Sequence, residues 1–293
     1  MSEIKVNSIK GVGASSAAIT VNNTDGTCTA NLSNRQNRNL IINGAMQVSQ
    51  RGTSFTSSAH ELTLDRMHHA ISGGFNFDTT TTQDSSAPDG FSKSLKITPD
   101  SVVTPTGGLN GVLETKLEGQ DVQSFAHGTS SAKAMTISFY AKSASQNNNA
   151  SYSFQVIKND GSNSKYVLQP FTVTSNWQRF SFTFNGDTAA SIVNTNALGL
   201  RLIGSLSTGP DDIVSATSSW TSGEYWRGVT GQSNFMDNTS NEFYLTGVQL
   251  EVGSHATDFE HRSFAVEKRL CMRYYQQELN PQRGGGRAGS SAN

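Results

Sequence analysis

From residue 39 to residue 260, apolar and polar side chains alternate in short runs separated by turn residues. A period of two puts successive side chains on opposite faces, so each run predicts a strand with one face on a core and one toward water. Met135, Ile137, Phe139 and Ala141 share a face in one run. The same holds for Tyr152, Phe154 and Val156, for Phe180, Phe182 and Phe184, and for Leu198, Leu200 and Leu202. In the last run, Phe243–Val252, the period puts Tyr244, Val248, Leu250 and Val252 on one face and Gln249 and Glu251 on the other. Residues 40–48, 94–98 and 111–118 predict further strands. Asn159, Asp160 and Gly161 mark a hairpin turn joining residues 152–157 to 166–173. About eight to ten antiparallel strands of this kind predict an all-β protein, an antiparallel jelly roll or β-sandwich. No repeat of fixed period is present, which argues against a propeller or β-helix.

The pattern changes at both ends of this body. Residues 1–38 are polar, with Ile4, Val6 and Ile9, then Ile19 and Val21, as isolated strand-like positions. Such a segment buries too little to stabilise itself and reads as an extended attachment arm. Residues 261–279 predict a short helix: Ser263 is its N-cap, Glu267 lies early, and Lys268, Arg269 and Arg273 lie late. Phe264, Leu270, Cys271, Tyr274 and Tyr275 form its apolar stripe, and Phe264, Leu270 and Tyr274 are the expected self-association residues. Pro281 and the glycines from Gly284 to Gly286 end the helix, leaving residues 280–293 as a flexible tail.

Composition narrows the function classes. The chain has 293 residues, of which 34% are hydrophobic and 15% charged, and Ser, Thr, Asn and Gly make up much of the rest. With 22 basic and 23 acidic residues and no basic stripe, it has no counterion-displacing footprint for nucleic acid. No apolar stretch is long enough to span a bilayer, so no membrane insertion is expected. The N-terminus has no signal-peptide core, which places synthesis in a cytosol. Cys28 and Cys271 belong to no CxxC or His/Cys cluster, so neither a metal site nor a redox motif is indicated, and no cofactor is implied.

Candidate chemistry is sparse. Glu114 and Glu118 share a strand face and Asp211 and Asp212 sit in a loop, but no acid has a partner placed opposite it, as glycoside cleavage requires. His68 and His69 are adjacent and point to opposite faces, and no GxSxG elbow anchors a triad. No catalytic residue is assigned. The segment with Trp220, Tyr225, Trp226 and Arg227 reads as an aromatic loop that could stack on sugar rings, although for each residue taken singly the favoured reading is that it pins the loop onto the sandwich.

Two passages carry a resemblance. The first runs Arg38-Asn39-Leu40-Ile41-Ile42-Asn43-Gly44-Ala45-Met46-Gln47 and on to Gly52. The second runs Phe243-Tyr244-Leu245-Thr246-Gly247-Val248-Gln249-Leu250-Glu251-Val252-Gly253, followed by Asp258-Phe259-Glu260-His261-Arg262-Ser263 and the helix with Cys271, Tyr274 and Tyr275. Together they are similar to tail-fibre and related appendage proteins of tailed bacteriophages, including marine phages of cyanobacteria. The resemblance implies a jelly-roll domain like that of carbohydrate-binding modules, usually in homotrimeric fibres on the virion, and no agreed catalytic residues. Family members often continue past the helix, where this sequence has the glycine-rich segment. The expectation is a non-enzymatic virion protein, a homotrimeric tail fibre that joins the tail or an adaptor through its arm and helps host adsorption. A glycan-binding recognition module on the same fold and a head-fibre or decoration protein are the alternatives, and a glycan depolymerase ranks last.

Overall fold

In the computed structural model the described residues are 6–12, 18–21, 24, 28–30, 37–57, 61–71, 77–159, 164–223 and 225–276. They fall into two compact units, 1–38 and 39–293. The first carries a small antiparallel sheet of β1 (Ser8–Ile9), β2 (Ile19–Val21) and β3 (Cys28–Ala30). The expected tail, 280–293, and the end of the expected helix lie outside the described residues.

The second unit is a β-sandwich. Its strands are β4 (Ser54–Ser57), β5 (Glu61–Leu62), β6 (His68–Ile71), β7 (Thr79–Asp84), β8 (Ser94–Pro99) and β9 (Asn110–Glu118). There follow β10 (Met135–Ser143), β11 (Ser151–Lys158), β12 (Lys165–Thr172), β13 (Gln178–Phe184) and β14 (Leu198–Thr208). The chain ends through β15 (Ile213–Val214), β16 (Thr217–Ser222), β17 (Gly228–Val229), β18 (Phe243–Val252) and α1 (Phe264–Met272). One sheet has six strands in the order β13-β10-β18-β8-β7-β4, the other seven in the order β16-β12-β11-β14-β9-β6-β5. Both are antiparallel; β15 and β17 form a separate parallel pair. The chain crosses between the two sheets at β4–β5, β6–β7, β8–β9, β9–β10, β10–β11, β12–β13 and β13–β14, so the layers are interleaved in sequence.

The alternating runs face each other across the core. Met135, Ile137, Phe139 and Ala141 of β10 meet Tyr152, Phe154 and Val156 of β11 and Leu200 and Leu202 of β14. The Phe139 ring lies 5.2–5.5 Å from Phe154, Phe171 and Phe180. Each such ring contributes about 2–3 kcal/mol on burial, and their spacing suits tilted and edge-to-face packing. The expected hairpin is present as the β11–β12 pair, with Tyr152 opposite Phe171. Leu198 departs from its group: a register shift separates it from Leu200, and it is 37% exposed.

Three expectations need correction. Residues 40–48 form turns rather than a strand, because Asn43 and Met46 adopt positive φ and the Asn43 side chain bonds Val48 and Asp65 backbone atoms in place of a ladder. In β18 the parity changes within the strand. Ser138 and Tyr140 pair with Gln249 and Thr246, so β18 carries one extra residue, a bulge at Gly247 and Val248. Phe243 therefore faces the core with Val248 and Leu250, while Tyr244 turns to the outer face. Trp220, expected on a loop, lies in β16, paired along β12 with Thr221 opposite Tyr166.

Residues 39–44 and 248–267, some two hundred residues apart, meet in a clasp. Along β18, strand β8 reaches only residues 243–245; beyond the bulge, Leu40 N donates to Leu250 O at 2.9 Å and Val248 N to Gly44 O at 2.9 Å. A Cβ on Gly44 would sit 2.1 Å from Val248 O, so only glycine permits this approach. Asn39 accepts from Leu250 N at 3.1 Å and donates to Val248 O at 3.2 Å. Helix α1, capped by Ser263 Oγ, closes the clasp. The buried Glu267 carboxylate accepts from Asn43 N, Arg262 donates to Asn39 O and Ile41 O, and Cys271 is a free, buried thiol. The apolar stripe is thus spent largely within the chain: Tyr274 lies under the Arg66 guanidinium at 3.5 Å and Leu270 is half-buried, while Phe264 is 54% exposed.

Candidate functional site

The outer face of the seven-stranded sheet is covered by the segment that follows β14. Ala70, Val112, Ile157, Tyr166, Leu168, Ile203 and Val229 form a second, smaller core there, and Trp226 packs on it. Polar side chains on the same face hold the segment: Gln155 donates to Tyr225 O at 3.0 Å and accepts from Arg227 N at 3.1 Å, and Ser205 Oγ donates to Arg227 O at 3.0 Å. Arg227 pairs with Asp212, which also accepts from Asn110 at 2.7 Å. Trp220 donates its indole N–H to Asn185 O at 2.7 Å and sets its ring edge-on to His127, 5.4 Å away. Burial, reinforced by the Lys158 charge, pulls the His127 imidazole down to about 4, so it is neutral beneath that ring. The four residues expected at a sugar site therefore divide. Trp220 and Trp226 pack, Arg227 is ion-paired, and Tyr225 keeps 63% of its surface in solvent.

The acids act as structural anchors. Glu114, its side chain 1% exposed, accepts from His68 Nδ1 at 2.9 Å, from Lys116 at 2.9 Å and from Arg201 through Nε at 3.0 Å and Nη2 at 2.7 Å. Burial raises its carboxyl, but the His68 hydrogen bond and the Arg201 and Lys116 charges outweigh that and hold it at about 2. Glu118 is gripped by Arg273, and the Arg273 hydrogen bond lowers its carboxyl too. Carboxyls held ionised in this way are poor proton donors. His69 turns inward onto Phe77, 5.0 Å between ring centres, while His68 faces out to Glu114.

A different place has the geometry of a site. Where the β10–β11 connection meets residues 233–241, a polar cleft of about 300 Å³ opens, lined by Gln146, Asn147, Asn149, Asn234, Asp237 and Asn241 among others. That volume is at the small end for ligand sites. Several lining amides build the walls: Asn147 bonds Tyr152 Oη at 3.2 Å and the Glu242 backbone on both sides, and Asn241 donates to Phe235 O at 2.9 Å. Gln146 and Asn149 are exposed, and among the described residues their side-chain amides have no protein partner. Fixed walls with free amides at the rim present donors and acceptors together, which suits a ligand rich in hydroxyls. The sequence did carry a signal for it, the run Gln146-Asn147-Asn148-Asn149 between two apolar strands, which reads as no more than a turn until residues 233–241 are brought opposite.

Comparison with known proteins adds little to this. No protein-family model and no curated protein matches the chain. Among solved structures, the CBM22-1 xylan-binding domain of Paenibacillus barcinonensis Xyn10C is 12% identical, over 74% of this chain and 96% of that one, with a TM-score of 0.37. The family 11 carbohydrate-binding module of Lic26A-Cel5E from Clostridium thermocellum is 12% identical over 72% and 98%, TM-score 0.34. The enzymatically active domain of bacteriophage CBA120 tailspike protein 4 is 11% identical, covering 73% of this chain and 21% of that one, TM-score 0.35. At these values the likeness is loose, and the sandwich stands on the chain's own strand pairing.

Proposed function

We propose that this chain is a non-catalytic structural protein of a tailed-phage virion, a homotrimeric tail fibre whose β-sandwich holds a glycan of the host surface in the amide-lined cleft. The virion assignment is supported by the resemblance of residues 38–52 and 243–263, which meet in the clasp that closes the sandwich. The glycan assignment is carried by the cleft, a rigid polar cavity of about 300 Å³ with unspent amides at its rim. Residues 1–38 serve as the arm that joins the tail, and Phe264, with Val266 beside it on α1, stays exposed for self-association. Tyr225, exposed and with Arg227 5.5 Å from its ring, is a separate sugar contact on the outer face of the seven-stranded sheet.

Purified protein on a glycan array, alongside Gln146→Ala/Asn149→Gly, tests the reading. Asn149 sits at φ 67, where glycine is unstrained, so the double variant is expected to fold. It should lose roughly ten-fold or more in affinity, the loss of one or two hydrogen bonds. Undiminished binding removes the cleft from the proposal; no glycan bound by folded wild type removes the glycan. A monomer by light scattering at micromolar concentration speaks against the fibre.

A further inference from the structure

The outer face of the six-stranded sheet carries aromatic side chains where alternation alone leads one to expect only polar ones. Tyr244 is turned outward by the β18 bulge, and Trp177, in the turn before β13, stands edge-on to it at 6.1 Å and 71°. Two lysines cover the Tyr244 ring: Lys142 Nζ lies 4.4 Å from its centre and Lys96 Nζ 5.4 Å. They differ in their partners. Lys96 pairs with Glu242, which also accepts from Tyr244 Oη at 2.9 Å. Lys142 forms no direct ion pair among the described residues, though its charge also acts on Glu242; its ammonium rests against Tyr244 and, at 5.5 Å, against Trp177. The cluster therefore carries one uncompensated positive charge beside a half-buried indole.

Its position ties it to the cleft. Asn148, in the amide-rich connection, accepts from Ser175 N at 3.0 Å and so fixes the turn that bears Trp177. Glu242 is joined to Asn147 through its backbone on both sides. The cleft itself contains a carboxylate, Asp237, and no cation, which favours a neutral sugar there. An anionic sugar is repelled from the cleft and attracted to Lys142.

We infer that the outer face beside the cleft is a subsite for a carboxylate-bearing sugar residue. Lys142 takes the carboxylate and Trp177 the apolar face of the ring. The inference rests on the glycan reading above and names the class of glycan, a polymer containing uronic or similar acidic residues. A lysine already held over two rings loses little further freedom when it pairs, and an ammonium beside an aromatic face is partly desolvated, so its bond to a carboxylate is strengthened.

The test uses the full chain with glucuronic acid oligosaccharides, the same oligosaccharides after carboxyl reduction, and inorganic phosphate. Titration calorimetry gives affinities, and the Trp177 indole N–H resonance reports the place. Wild type should prefer the acidic form by roughly ten-fold, the effect of one charge-assisted hydrogen bond. Lys142→Gln should abolish that preference and leave the reduced form unchanged, Lys142→Arg should restore it, and Trp177→Ala should weaken both forms. Equal affinity for the two forms overturns the inference. So does a preference that survives Lys142→Gln, or a Trp177 shift matched by phosphate alone. The cleft double variant keeps the two readings apart: a Lys142-dependent uronate response in that variant leaves the subsite standing after the cleft has failed, while neutral binding without any acid preference does the reverse.

Discussion

Glu114 is where charge and fold are most tightly coupled, and Glu114→Gln tests that coupling. Its carboxylate is almost wholly buried on the outer face of the seven-stranded sheet, between His68, Lys116 and Arg201. A folded value of about 2 against an ordinary 4.5 corresponds by linkage to about 3 kcal/mol of stability at neutral pH. The sign follows from the direction: a depressed carboxyl stabilises the fold above its unfolded value, and that contribution drains away as pH falls from about 5 toward 2. Lys116 keeps 44% of its side chain in water, so its share is screened and Arg201 and His68 carry most of the effect. Replacing the carboxylate with an amide leaves the cations without a counter-charge, the costly way to break a buried pair. Urea unfolding followed by tryptophan fluorescence should show Glu114→Gln less stable by about 3 kcal/mol at pH 7, with the gap narrowing to about 1 kcal/mol at pH 3. A gap below about 1 kcal/mol at pH 7, or one that stays constant across this range, would refute the reasoning.

Two further substitutions probe the bulge and the clasp. Gly247 has φ +63, and a Cβ there would lie 2.8 Å from the Phe91 and Tyr140 rings. Gly231, at φ +84 with nothing within 4 Å, is its control. Gly231→Ala should cost about 1 kcal/mol and Gly247→Ala clearly more, in urea melts; equal costs would mean the rings yield freely. Glu267→Gln should weaken the seat of α1 on residues 39–44 by about 2 kcal/mol, exposing Cys271 to a thiol reagent roughly thirty-fold faster in a Cys28→Ser background. Unchanged labelling would show that Arg262 and the tyrosines hold the helix without it.

Much of the sandwich was legible because its core strands alternate strictly. The runs in β10, β11 and β13, and the Ser263 cap, report themselves through a two-residue or helical period. Strand β7 is hidden by the same logic: Thr79 and Thr81 are fully buried, yet threonine reads as polar, so the strand shows no apolar face. Tyr244 is mis-set because one extra residue reverses every side chain before it, and a glycine in a strand does not say whether a bulge is present. The aromatic segment is misread in a different way. Trp226 has a second core to cover, and that core is assembled from β6, β9, β11, β12, β14 and β17, none of them next to it in sequence except β17.

The amino-acid sequence by itself determined the fold class, the faces of the strict strands and the start of the helix, since these follow from periods and caps acting over a few residues. It also marked out residues 38–52 and 243–263 as two distinctive stretches. Tertiary structure alone decided what those stretches do. Asn39, Gly44 and Glu267 form a clasp only when residues 39–44 lie along the half of β18 that β8 does not reach. The amides of residues 146–149 become a cleft only opposite residues 233–241, and Lys142 becomes an uncompensated charge only where the bulge has turned Tyr244 beneath it. Local periodicity is written in neighbours, whereas a site is written in groups that long-range strand pairing brings together.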